Sequence, residues 1–206
     1  MVQDPTVSQW WQTDIIDMKP GEIRYRGYEI QDLIGEISFS QMIWLMMRGE
    51  LPSKGQADLL DTALMSAIDH GPQAPSIAIA RMAATCGVGL NNAMASAMNV
   101  LGDVHGGAGE QAVEIYNKIA IRTQNGTSLE EAVAEEIDLF VQTRGKFLPG
   151  FGHRFHPIDP RAPRLLEVVR KAASEGVVEG KYANIATQIE TELERRKGKK
   201  LSLIHI

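Results

Sequence analysis

At 206 residues, with 44% hydrophobic and 23% charged side chains, the chain has the composition of a soluble globular protein of one or two domains. Its 21 basic against 26 acidic residues give a formal net charge of −5, which argues against a nucleic-acid binder but leaves room for a locally basic pocket. Cys86 is the single cysteine, so an internal disulfide and a cysteine zinc site are excluded, and a reducing cytoplasm fits.

Residues 1–14 are polar, carry Trp10 and Trp11, and lack the basic and apolar runs of a secretory leader. Thr13–Asp17 and Glu22–Tyr28 are β-prone runs either side of Lys19–Pro20–Gly21, which predicts a small hairpin. Helices follow. Ser38 can cap a helix whose apolar positions Phe39, Met42, Ile43, Met46 and Met47 keep helical spacing, with Gly49 and Pro52 ending it. The next helix carries Leu59, Leu60, Ala63, Leu64, Ala67 and Ile68 and is expected to stop at Gly71–Pro72.

Ile77–Leu101 is rich in small residues and Met, and reads as one central helix, in the interior or across a dimer interface. Arg81, Asn91, Asn92 and Asn99 make it a poor membrane span. Ala108–Ile121 is a further helix. Ser128 with Glu131 gives a capping-box signature for a helix to about Arg144. Asp159–Pro160 opens another to about Ser174, and a last amphipathic helix covers Tyr182–Lys197. The fold class is all-α with a small N-terminal β-hairpin.

Three histidines interrupt this helical sequence in glycine- or proline-bearing segments: Asp69–His70–Gly71–Pro72, Gly102–Asp103–Val104–His105–Gly106–Gly107, and Pro149–Gly150–Phe151–Gly152–His153–Arg154. Asp159–Pro160–Arg161 follows the last of them. Together with Gly21–Glu22–Ile23–Arg24–Tyr25–Arg26–Gly27–Tyr28 and Gly49–Glu50–Leu51–Pro52, this order resembles the citrate synthase family. The Trp10–Trp11 start and the short spacings look most like its compact citryl-CoA lyases.

That resemblance implies a multi-helical citrate synthase-type fold working as a homodimer. Residues 1–30 would form the N-terminal segment and hairpin, 31–110 part of a large helical domain, and 111–200 a smaller one. It implies cleavage of citryl-CoA to acetyl-CoA and oxaloacetate through an enol. Citrate synthase, condensing the same two products, is the alternative. A non-catalytic subunit binding CoA esters or partner chains is the rival of another class. A CoA thioester would be substrate, with no cofactor, no metal, no nucleic acid and no membrane.

The residues carry separate physical arguments. A methyl proton beside a thioester is removed only if the enol oxygen receives a hydrogen bond as it forms, and a neutral imidazole suits that donation. His105 precedes the helix opening near Ala108, whose positive end favours the neutral ring. By resemblance His105 is the enol-side donor, and His153, after a flat Pro-Gly-aromatic-Gly turn, polarises the oxaloacetate carbonyl. Leu148, Pro149, Gly150, Phe151 and Gly152 would contact CoA. His70, expected at a helix carboxyl end where an imidazolium is favoured, and Arg161, whose planar fork matches a carboxylate, would bind the substrate acid groups.

His153-x-x-His156 with Asp159 has metal-ligand residue types, but Pro157 breaks the register that would align them. The family's catalytic base is an aspartate downstream of the last helix, and no aspartate follows Asp159 here. Leu201–Ile206 reads like translated sequencing adaptor, so residues 201–206 are expected to be foreign, His205 has no role, and these residues alone should turn over poorly.

Overall fold

The computed structural model describes residues 9–69, 71–152 and 158–198, and divides the chain into two compact units, 1–64 and 65–206. The 110 boundary expected from the sequence falls in the first turn of a helix of the second unit. Among the described residues no helix is long and apolar enough to cross a membrane.

The first unit opens with three short antiparallel strands, β1 (Ile16–Lys19), β2 (Glu22–Tyr25) and β3 (Tyr28–Glu29), in that order across the sheet. The expected single run 22–28 is broken because Arg26 and Gly27 both take positive φ, 50° and 90°, making a two-residue hairpin turn. Arg26 is held in that unfavourable region by its guanidinium, whose Nε and Nη2 donate to the Met46 carbonyl at 3.2 and 2.8 Å.

After a short turn of helix, α1 (Ile30–Leu33), comes α2 (Phe39–Arg48). It is capped as the sequence predicts: the Gln41 amide donates to Ser38 Oγ and the Ser38 amide donates to Gln41 Oε1. Gly49, at φ 86°, closes it. Ser53 and Gln56 repeat this reciprocal cap at the start of α3 (Lys54–Ser66), which ends earlier than Gly71–Pro72.

In the second unit the expected helix 77–101 is two helices, α4 (Pro75–Thr85) and α5 (Leu90–Met98), packed on each other. Composition hides the break, but Gly87 takes φ 79° just after the Cys86 cap and Gly89 becomes the N-cap of α5. No residue of α4 is buried, and in α5 only Ala93 is.

The core lies among α6 (Ala108–Gln124), α7 (Leu129–Arg144), α8 (Arg161–Ser174) and α9 (Lys181–Lys197). Ile119, Ile137 and Ile189 fill it, each at 2% exposure or less, and each contributes ~1.5–3 kcal/mol of burial. Ala112, Ala132 and Ala186 are small residues in the same cluster, which lets the helix axes approach. Ser128 Oγ accepts from the Glu131 amide as predicted, but its hydroxyl then donates to the Glu131 carboxylate.

A charged clamp joins α9 to α7. Glu192 accepts from Arg195 Nε and Nη2 at 2.7 Å each and from Arg196 Nε at 2.6 Å, while Arg196 also pairs with Asp138 and donates to the Ala134 carbonyl. These hydrogen bonds, Arg195 first, hold the Glu192 carboxyl down to about 2. A carboxylate depressed in the folded state adds stability above its unfolded value and loses it as pH falls through the folded one. We therefore expect Glu192→Gln to cost about 2 kcal/mol at neutral pH, a figure discounted because both arginines reach solvent. The variant should also flatten the loss of stability between about pH 5 and about pH 2, as read by urea midpoints across that range.

Candidate active site

His105 is the predicted histidine that the described residues contain, and it is half-buried. It sits in a loop that folds back on itself before α6. The Gly102 amide donates to the His105 carbonyl at 2.9 Å, and the Gly107 amide donates to the Gly102 carbonyl at 3.0 Å. Gly106 takes φ 109° to close this ring. Gly107 has an ordinary backbone conformation, but a Cβ there would lie 2.8 Å from Asp103 Cα and 2.9 Å from its carbonyl oxygen. The glycine is needed for close approach, not for a turn. Gln111, in the first turns of α6, adds a hydrogen bond from its side-chain Nε2 to the Asp103 carbonyl at 3.0 Å.

The imidazole reaches across to α4. The Ser76 backbone amide donates to His105 Nε2 at 3.2 Å, and Ser76 Oγ lies 3.0 Å from the same nitrogen. Ser76 is in the first turn of α4, where amides lack a helical partner, and its N-cap residue Ala74 offers no side-chain acceptor. The ring supplies that acceptor. A nitrogen receiving an amide proton cannot carry one itself, so the neutral ring holds its proton on Nδ1. The amino end of α4 therefore faces this ring, in addition to the one before which the histidine sits.

Arg161 opens α8, and its guanidinium forks onto Asp159: Nε to Oδ1 at 3.0 Å and Nη2 to Oδ2 at 2.6 Å. Nη1 donates to the Ser66 carbonyl at the end of α3, 3.2 Å away. Among the described residues three of its five N–H groups are engaged, and the side chain keeps 32% exposure beside an Asp159 carboxylate at 1%. The hydrogen bond to Asp159 raises the Arg161 guanidinium further above its usual value. Asp159 Oδ1 also accepts from the Arg161 amide at 3.0 Å, orienting the first side chain of the helix, whose N-cap is Pro160 and not Asp159 as the sequence suggests.

The 148–152 segment divides. Leu148 is buried in the core cluster and Phe151 packs against it, so both side chains anchor the loop. Gly150 and Gly152 adopt φ 84° and 85°. Pro149, just before Gly150, is half-buried. His70 and His153 lie outside the described residues, as do His156 and 201–206. Among the described residues no three His, Cys, Asp or Glu side chains are grouped to hold a metal ion. Sequence reasoning did not single out Ser76 or Gln111. Ser76 acts through its main chain, and Pro75 at the first position of α4 is the signal that placed a helix amino end there.

The family model for the citrate synthase C-terminal domain matches residues 4–58 and 52–203. The citrate synthase of Haloferax volcanii is 30% identical over 155 residues, 74% of this chain and 38% of that protein. A citryl-CoA lyase structure from Hydrogenobacter thermophilus superposes with a TM-score of 0.80 at 35% identity, covering 94% of this chain and 72% of that one. The citrate synthase of Thermoplasma acidophilum, in ternary complex with carboxymethyl coenzyme A and oxaloacetate, gives a TM-score of 0.64 at 25% identity over 80% of this chain and 42% of that one. The chain spans 38% and 40% of the first two curated relatives it matches. With the family model covering nearly all its residues and the expected helical architecture in place, this chain belongs to the citrate synthase family.

Proposed function

We propose that the chain forms part of a citryl-CoA lyase site, in which His105 Nδ1–H is the donor to the thioester oxygen. The observation that carries this is the Ser76 amide on Nε2, which leaves the imidazole neutral with its other nitrogen protonated. The likeness over most of its length to a citryl-CoA lyase supports the direction.

In that reaction the carbinol O–H of the citryl group loses its proton and the adjacent C–C bond breaks. Its electron pair passes into the thioester, giving the acetyl-CoA enolate, whose oxygen His105 stabilises by a hydrogen bond; oxaloacetate leaves. Delivery of a proton to the enolate carbon then completes the methyl group of acetyl-CoA. His153 would serve the carbinol oxygen, and His70 and Arg161 the carboxylates.

Citrate synthase is the second reading, favoured by the names of the curated relatives. Product analysis separates the readings. Acetyl-CoA and oxaloacetate from citryl-CoA, without free CoA, support the lyase. Free CoA released from acetyl-CoA and oxaloacetate supports the synthase and overturns it. Tight citryl-CoA binding with neither product set supports a non-catalytic subunit.

A second copy of the chain would cover α4 and α5. Leu90, Met94 and Met98, four residues apart on one stripe, are 77%, 59% and 64% exposed. We expect Met94→Glu to convert a dimer to a monomer by light scattering; an unchanged mass distribution would remove α5 from the interface.

A further inference from the structure

We propose that Gln111 is a positioning residue for His105, holding the 102–107 loop so that the imidazole keeps one tautomer and one direction. The proposal rests on the reading of His105 as donor only for its catalytic consequence; the geometry stands by itself. The two backbone hydrogen bonds of the loop, Gly102 to His105 and Gly107 to Gly102, close it on itself and join it to α6 only through the N-cap Gly107. The Gln111 side chain ties it down, donating from Nε2 to the Asp103 carbonyl eight residues earlier in the chain.

That carbonyl belongs to the residue already pressed against Gly107, where a Cβ would come within 2.8 Å of Asp103. The loop thus lies flat on the first turn of α6, with glycine beneath it and the glutamine amide across it. His105 is two residues further on. Its ring must meet the Ser76 amide at 3.2 Å on one side, near the long end of a hydrogen bond, so a small lift at Asp103 takes Nε2 out of reach. Once Nε2 is released, either ring nitrogen can carry the proton.

The test uses the protein labelled with 15N-histidine, the His105 signals being those missing from His105→Ala. Wild type should show a protonated Nδ1 and an unprotonated Nε2 as separate signals. Gln111→Glu keeps the side chain's size and suits an early helical position, but it cannot donate. It should merge the two signals toward an averaged position. Gln111→Lys, which can donate, should keep them apart. Separate signals in Gln111→Glu, or equal merging in both variants, would overturn the proposal. Failure of the donor reading shows elsewhere, as full citryl-CoA cleavage by His105→Ala, whatever the Gln111 variants do.

Discussion

His105→Ala is expected to lower citryl-CoA cleavage by the full-length protein about 10³-fold, with helix content by circular dichroism unchanged. Removing one preorganised donor to a developing oxyanion costs about 10²–10³ in rate, and the proposed donor is also held in one direction by Ser76. The fold should survive because the half-buried ring packs outside the α6–α9 core and its side-chain partner is Ser76 alone among the described residues. Ser76→Ala serves as the control. It removes the hydroxyl and keeps the amide, so it should change the rate less than about tenfold if the amide sets the tautomer. A His105→Ala protein within tenfold of wild type would remove the imidazole from the chemistry.

Gly107→Ala should be the most damaging single-methyl change near the site. At a helix start with φ −80°, exchanging glycine for alanine would ordinarily be harmless or helpful. Here the added carbon meets main-chain atoms of Asp103 at 2.8 and 2.9 Å, which have no rotamer to yield. We expect a loss of ~2–3 kcal/mol, in the range of overpacked sites, measured by urea unfolding. The loop must move to admit the methyl, so cleavage should fall about 10²-fold, as expected for a reacting group displaced by about 1 Å. Gly109→Ala, two residues on with nothing within 4 Å of the new carbon, should be neutral or slightly stabilising. Equal stability in the two variants would show that the Asp103 contact carries no strain.

Most helix starts were legible because they are local. Ser38 with Gln41 and Ser128 with Glu131 announce themselves within four residues, and the capping bonds form there. The break inside 77–101 was readable in principle from Gly87 and Gly89, but the small apolar residues around them suit one helix as well as two. The site divides the same way. His105 stands out by its glycines, whereas its partner is a single serine 29 residues earlier, meeting it with main-chain amide and hydroxyl, which no local spacing announces. Gly107 permits a close backbone approach to Asp103, a contact that no local pattern announces. Arg161 was expected to face an anion at its helix start, and within the structure that anion is Asp159.

That pairing changes how a dicarboxylate would experience the site from afar. An arginine forked onto an aspartate presents no net charge beyond a few ångströms, so its pull on an approaching acid is confined to contact range. Capture by this residue would be a matter of docking geometry, and added salt should hardly slow the portion of encounter that depends on it.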